Sequence, residues 1–173
     1  MTTDEFFERY DPLAELGSAT LDMAFIDGLH EYKQALRDFI NIERYSHPRT
    51  VVLVHDCLPV ARAVAAPVRA TVFWCGDVWK TVRCLVKYRP DLTVRVVPAR
   101  PSGLAVVTHL DPNSTVLRDR TEEIAAEYKN RELSYEYLDS ALIAGMMSRG
   151  VPDDCRQFCR DLDSELRGAL QSG

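Results

Sequence analysis

Four side chains suited to proton transfer or metal ligation stand at the ends of two apolar runs. Asp27 and His30 follow Leu21 to Ile26, and His55 and Asp56 follow Thr50 to Val54. An imidazole titrates near neutral pH, so His30 can act as a general base, with Asp27 as its catalytic partner. Asp27, His55 and Asp56 offer the donor types of a divalent-cation site. Two carboxylates favour magnesium or manganese, and the imidazole also admits iron or zinc. Each residue has a plainer reading as well. Asp27-Gly28 is a common turn dipeptide, and His30 can be a solvated helix-entry residue. His55 can donate to a backbone carbonyl, and Asp56 can cap the next segment.

Elements must bring these groups together. Leu21 to Ile26 reads as a buried strand by its continuous apolar run, and Thr50 to Val54 as a second, β-branched one. Between them, His30 to Tyr45 carries Tyr32, Ala35, Leu36, Phe39 and Ile40 at helical spacing, and Pro48 ends the helix. Two parallel strands joined by a helix release their C-terminal ends side by side, which places Asp27, His30, His55 and Asp56 at one sheet edge.

The rest continues the pattern. Asp4 to Tyr10 predicts a short helix with Thr3 as N-cap. Pro59 to Ala70 is ambiguous. Gly76-Asp77 opens a helix to about Tyr88, with Asp77 as N-cap. Leu92 to Val97 and Gly103 to Leu110 read as strands forming a hairpin. The order β-α-β-α-β-β predicts a three-layer α/β fold with an antiparallel edge strand. Ser114 to Asn130, Leu133 to Arg149 and Asp153 to Leu170 read as helices. Trp74, Asp77, Trp79 and Lys80 form an aromatic and charged cluster that can wall a substrate pocket, although Trp79 also reads as core. His47 and His109 read as surface residues.

At 173 residues the chain supports one domain with an appendage. A net charge of −5 argues against nucleic acid, which needs a basic face. No apolar run reaches the length of a membrane span, and the acidic N-terminus has no signal-peptide core, so a cytoplasmic protein is expected. Cysteines 57, 75, 84, 155 and 159 form no CxxC pair and read as free thiols.

The runs Phe25-Ile26-Asp27-Gly28-Leu29-His30-Glu31-Tyr32, Val54-His55-Asp56 and Gly76-Asp77-Val78-Trp79-Lys80 resemble the later half of class I S-adenosylmethionine-dependent methyltransferases. The resemblance covers about residues 3 to 112 and is nearest the small-molecule O-methyltransferases of the macrocin type. It implies a partial Rossmann-like methyltransferase sheet over 1–112 and a helical C-terminal extension over 113–173. It also implies S-adenosylmethionine as cofactor, an acid pair with magnesium at Asp27 and 55–56, and His30 as base. Asp27 and Asp56 match that pattern, and His55 stands where it has an acid.

The glycine-rich loop that cradles the donor in such enzymes has no counterpart here, since no two glycines form GxG. The sequence therefore reads as a half-domain beginning after the cofactor-binding half. Three expectations follow: an O-methyltransferase acting on a small molecule, a non-catalytic binding or assembly module, or a piece of an intact enzyme whose coding region begins upstream. A sheet cut beside a central strand exposes a long edge, to be covered by a second copy, another chain or the C-terminal helices.

Overall fold

The computed structural model describes residues 1–97, 99–134, 160–162, 164, 167 and 168. Helix α1 spans Thr3–Arg9. Its N-cap is Thr2, one residue before the expected Thr3, because Glu5 and Thr2 close a capping box. Helix α2, Pro12–Leu16, was not legible in the pattern. Asp11 caps it, proline opens it, and left-handed Gly17 ends it.

Strand β1 (Met23–Ile26) leads through the Asp27-Gly28 turn into helix α3 (Tyr32–Glu43), and strand β2 (Val51–His55) follows. The two strands pair in parallel, with Phe25 opposite Leu53 and Ile26 opposite Val54. The ambiguous stretch after Pro59 is irregular, apart from a short 3-10 turn at Arg62–Val64. Helix α4 spans Trp79–Tyr88, β3 Thr93–Val97 and β4 Leu104–Thr108. The β3–β4 hairpin is antiparallel, as its sequence predicts. It folds back so that β4 pairs antiparallel with β2, giving the order β1-β2-β4-β3. The later strand thus lies inside the sheet, and β3 is the edge strand antiparallel to its neighbour.

Alternation along the strands puts Ile26, Val52, Val54, Val96, Ala105 and Val107 on one face. All are nearly or fully buried, in one core with Ala35, Leu36 and Phe39 of α3 and Val82 and Leu85 of α4. Helices α3 and α4 also pack on each other. The fold is therefore mixed α/β, with helices on a four-stranded sheet. The expected three-layer stack differs at β1. On the opposite face, Met23 and Phe25 remain 63% and 56% exposed.

The predicted helix over 114–130 divides at Arg120 into α5 (Val116–Asp119) and α6 (Thr121–Tyr128). Leu117, Ile124 and Tyr128 join the core. The expected helix Leu133 to Arg149 lies, from residue 135 onward, outside the described residues. So does most of Asp153 to Leu170, including Cys155 and Cys159; of that span, 160–162, 164, 167 and 168 are helical. No helix of the described residues is long and apolar enough to cross a membrane.

Candidate functional site

Parallel pairing of β1 and β2 brings the four chemical residues to one end of the sheet. His30 Nε2 lies 3.6 Å from Asp27 Oδ1, and His30 Nδ1 lies 3.1 Å from Asp56 Oδ2. His55 Nδ1 lies 3.2 Å from Asp27 Oδ1 and 3.5 Å from Asp56 Oδ1. His30 and Asp56 both adopt left-handed backbone, with φ of 59° and 58°. That conformation is uncommon outside glycine and turns each side chain out of the regular strand or helix direction.

The segment 74–77 grips His30. Its Nδ1 is 2.9 Å from the Trp74 carbonyl, and the two rings stack at 5.4 Å and 24°. A carbonyl only accepts, so Nδ1 is the donor in this contact, and Nε2 faces the Asp27 side. Asp77 N–H donates to the His30 carbonyl at 3.2 Å. Gly76, with φ of 61°, lies so near that a Cβ there would sit 1.7 Å from the His30 oxygen. Glycine at 76 is thus required both by its backbone angle and by this contact.

Asp56 is 3% exposed and held from the far side of the sheet. Ser102 Oγ, in the β3–β4 connection, donates to Asp56 Oδ1. The Cys75 thiol bonds to Asp56 and Ser102, and burial pushes it up to about 12. Burial likewise raises Cys57 and Cys84 to about 12, so all three thiols stay protonated at neutral pH and none is a nucleophile. Asp56 Oδ2 makes no geometrically good hydrogen bond, and its nearest partner is His30 Nδ1 at 3.1 Å.

The cleft over these groups is lined by Asp27, Gly28, His30, Asp38, His55 and Asp56 among others, and its free space is about 10 Å³. That is room for one water-sized sphere. Ligand atoms of Asp27, His30 and Asp56 lie within 4.8 Å of one another. Asp27, His30 and Asp56 thus form a candidate cluster of cation-ligand types, in which His30 stands where His55 is expected; His55 lies beside it, 3.2 Å from Asp27 and 3.5 Å from Asp56.

The 74–80 cluster is differently disposed. Trp74 reaches the site by stacking on His30. Asp77, Trp79 and Lys80 are 4%, 2% and 2% exposed, and none lines the cleft. Asp77 does not cap α4. Its Oδ1 accepts from Tyr32 N–H at 2.8 Å, capping α3, while Oδ2 pairs with Lys80 Nζ at 2.9 Å. Lys80 also lies 5.0 Å over the Tyr32 ring. His47 is tied to Asp22 at 2.9 Å, away from the site. Asp38 and Ser102 carry no sequence signal for the site: Asp38 lines the cleft from a helical position that reads as amphipathic surface, and Ser102 lies in a turn.

Among the described residues no glycine-rich strand-to-helix loop occurs. The positive-φ glycines are Gly17, Gly76 and Gly103, each isolated. No curated protein and no solved structure matches the chain. Residues 2–57, which carry β1, α3, β2 and all four chemical residues, match the family described as Methyltransferase domain.

Proposed function

We propose that the chain carries the acceptor-activating chemistry of an O-methyltransferase of the macrocin type acting on a small molecule. The observation that supports it most is the placement of His30 Nε2 3.6 Å from Asp27 Oδ1, within a segment that matches a methyltransferase family. A hydroxyl seated in the cleft hydrogen-bonds to Asp27, and His30 Nε2 takes its proton as the oxygen becomes nucleophilic. Asp56 faces the opposite edge of the imidazole. A divalent ion, when bound by Asp27, His55 and Asp56, would lower the pKa of the hydroxyl. The chemistry assigned here ends at the acceptor oxygen.

Titration calorimetry with S-adenosylmethionine tests this reading. Saturable heat, abolished by unfolding, supports a transferase that carries its donor. No heat at millimolar donor removes methyl transfer by the chain alone. That outcome favours the second reading, a non-catalytic binding or assembly module, which rests on the missing glycine loop.

A further inference from the structure

The cleft over Asp27 and His30 has free space of about 10 Å³, room for one hydroxyl oxygen. An acceptor whose hydroxyl enters it must keep its body outside, against the rim. That rim is apolar. Leu29, 60% exposed, lines the cleft itself. Phe25, 56% exposed, holds its ring 6.1 Å from that of His55, another lining residue. Exposed apolar side chains scattered singly are ordinary, but these two stand at the entrance of one polar slot. The charge of the lining has one sign. Asp27, Asp38 and Asp56 line the cleft with His30 and His55, and among the described residues no lysine or arginine does. Carboxylates repel an anion, and more strongly where water is excluded.

We infer that the acceptor is an uncharged, flat, apolar compound with one protruding hydroxyl, a phenol in chemical class. This deepens the proposed function and rests on its placement of the acceptor oxygen between Asp27 and His30. The hydroxyl enters the slot, and the ring lies over Leu29 and beside Phe25, where an offset or edge-on ring contact is open to it. A polyol fits poorly, because its other hydroxyls would lie unpaired against Leu29 and Phe25. An aromatic acid fits poorly as well, because its carboxylate approaches a mouth lined by three others. Leu29 and Phe25 are therefore the specificity-determining residues of the cleft, and neither carries a group that takes part in proton transfer.

The test is saturation-transfer NMR on the full chain at neutral pH, with 4-ethylphenol as the probe and no methyl donor present. EDTA is added so that no cation competes for the slot. 4-Ethylphenol is expected to bind saturably at millimolar concentration. 4-Hydroxybenzoate, with the same ring and hydroxyl but a carboxylate in place of the ethyl group, should bind about tenfold more weakly. myo-Inositol should not bind. Leu29→Ser and Phe25→Ser, both at exposed positions, should each weaken 4-ethylphenol by about threefold to tenfold. Leu29→Lys places a cation at the mouth and should bring 4-hydroxybenzoate level with 4-ethylphenol. No saturation by 4-ethylphenol, equal binding of 4-hydroxybenzoate to the wild type, or indifference to Leu29→Lys would each overturn the assignment. Adding S-adenosylmethionine separates it from the reading on which it rests. 4-Ethylphenol bound with these preferences but never methylated would sink the transfer and leave the ligand class standing. Methylation of myo-inositol and not of 4-ethylphenol would do the reverse.

Discussion

His30 is the residue on which the proposed chemistry turns, and its surroundings make two predictions. His30→Asn removes the Nε2 lone pair. Methyl transfer, where detected, should fall by about 10²–10⁴-fold, with circular dichroism and melting temperature little changed because the ring is only half-buried. Gly76→Ala should instead destabilise the fold. The left-handed backbone alone costs about 1–2 kcal/mol, and the clash with the His30 carbonyl adds to it; a denaturant midpoint equal to wild type would refute the contact. The buried thiols give a chemical check. Iodoacetamide on the native protein, followed by peptide mapping, should leave Cys57, Cys75 and Cys84 unmodified. The four strand-end residues were legible because parallel strands must release neighbouring ends. The grip by Trp74, Gly76 and Asp77 was not. It joins residues 44 to 47 positions apart through a positive-φ glycine, and nothing in local spacing encodes that approach.

Elements are held together by buried charge as much as by apolar packing. Arg89, 1% exposed, forks onto Glu43 at 2.7 Å with both Glu43 oxygens and reaches Asp91 at 2.7 Å. This ties the end of α3 to the turn after α4. Burial and these partners oppose one another at Glu43, whose carboxyl is net raised, while hydrogen bonding to Arg89 holds Asp91 low. Arg89→Met leaves Glu43 buried without its cation, and about 3–5 kcal/mol of stability should vanish from a urea melt.

Helix α6 is tied to α4 by Glu127, which accepts from Lys87 Nζ at 2.6 Å and from Tyr88 Oη at 2.5 Å. The Lys87 and Tyr88 hydrogen bonds lower its pKa below the usual 4.5. A depressed carboxyl adds stability above its unfolded value and loses it as pH falls through the folded one. The urea midpoint of the wild type should therefore drop below pH 4.5 more steeply than that of Glu127→Gln. Equal slopes would remove Glu127 from the acid response. The apolar runs announced the strands, but not that β4 inserts between β2 and β3. That order is set by which faces can be buried together, a non-local condition.

For the whole molecule, the open feature is β1. Among the described residues it pairs on one side only, with β2, and Met23 and Phe25 stand exposed. Edges of this kind invite association. Phe25→Lys should leave the melting temperature nearly unchanged and shift any oligomer towards monomer in light scattering. An oligomer that survives the change would place its contacts elsewhere. Which side chains would remain uncovered depended on the register of β1 against β2, which composition does not encode.

Asp77 begins α3 from a distance. The first amide of that helix is capped by a carboxylate 45 positions further along the chain, from the same segment that orients the imidazole. The start of α3 and the grip on the imidazole thus share one anchor, so Asp77→Asn is expected to loosen both at once, read as faster amide exchange at Tyr32 and at the 74–77 segment.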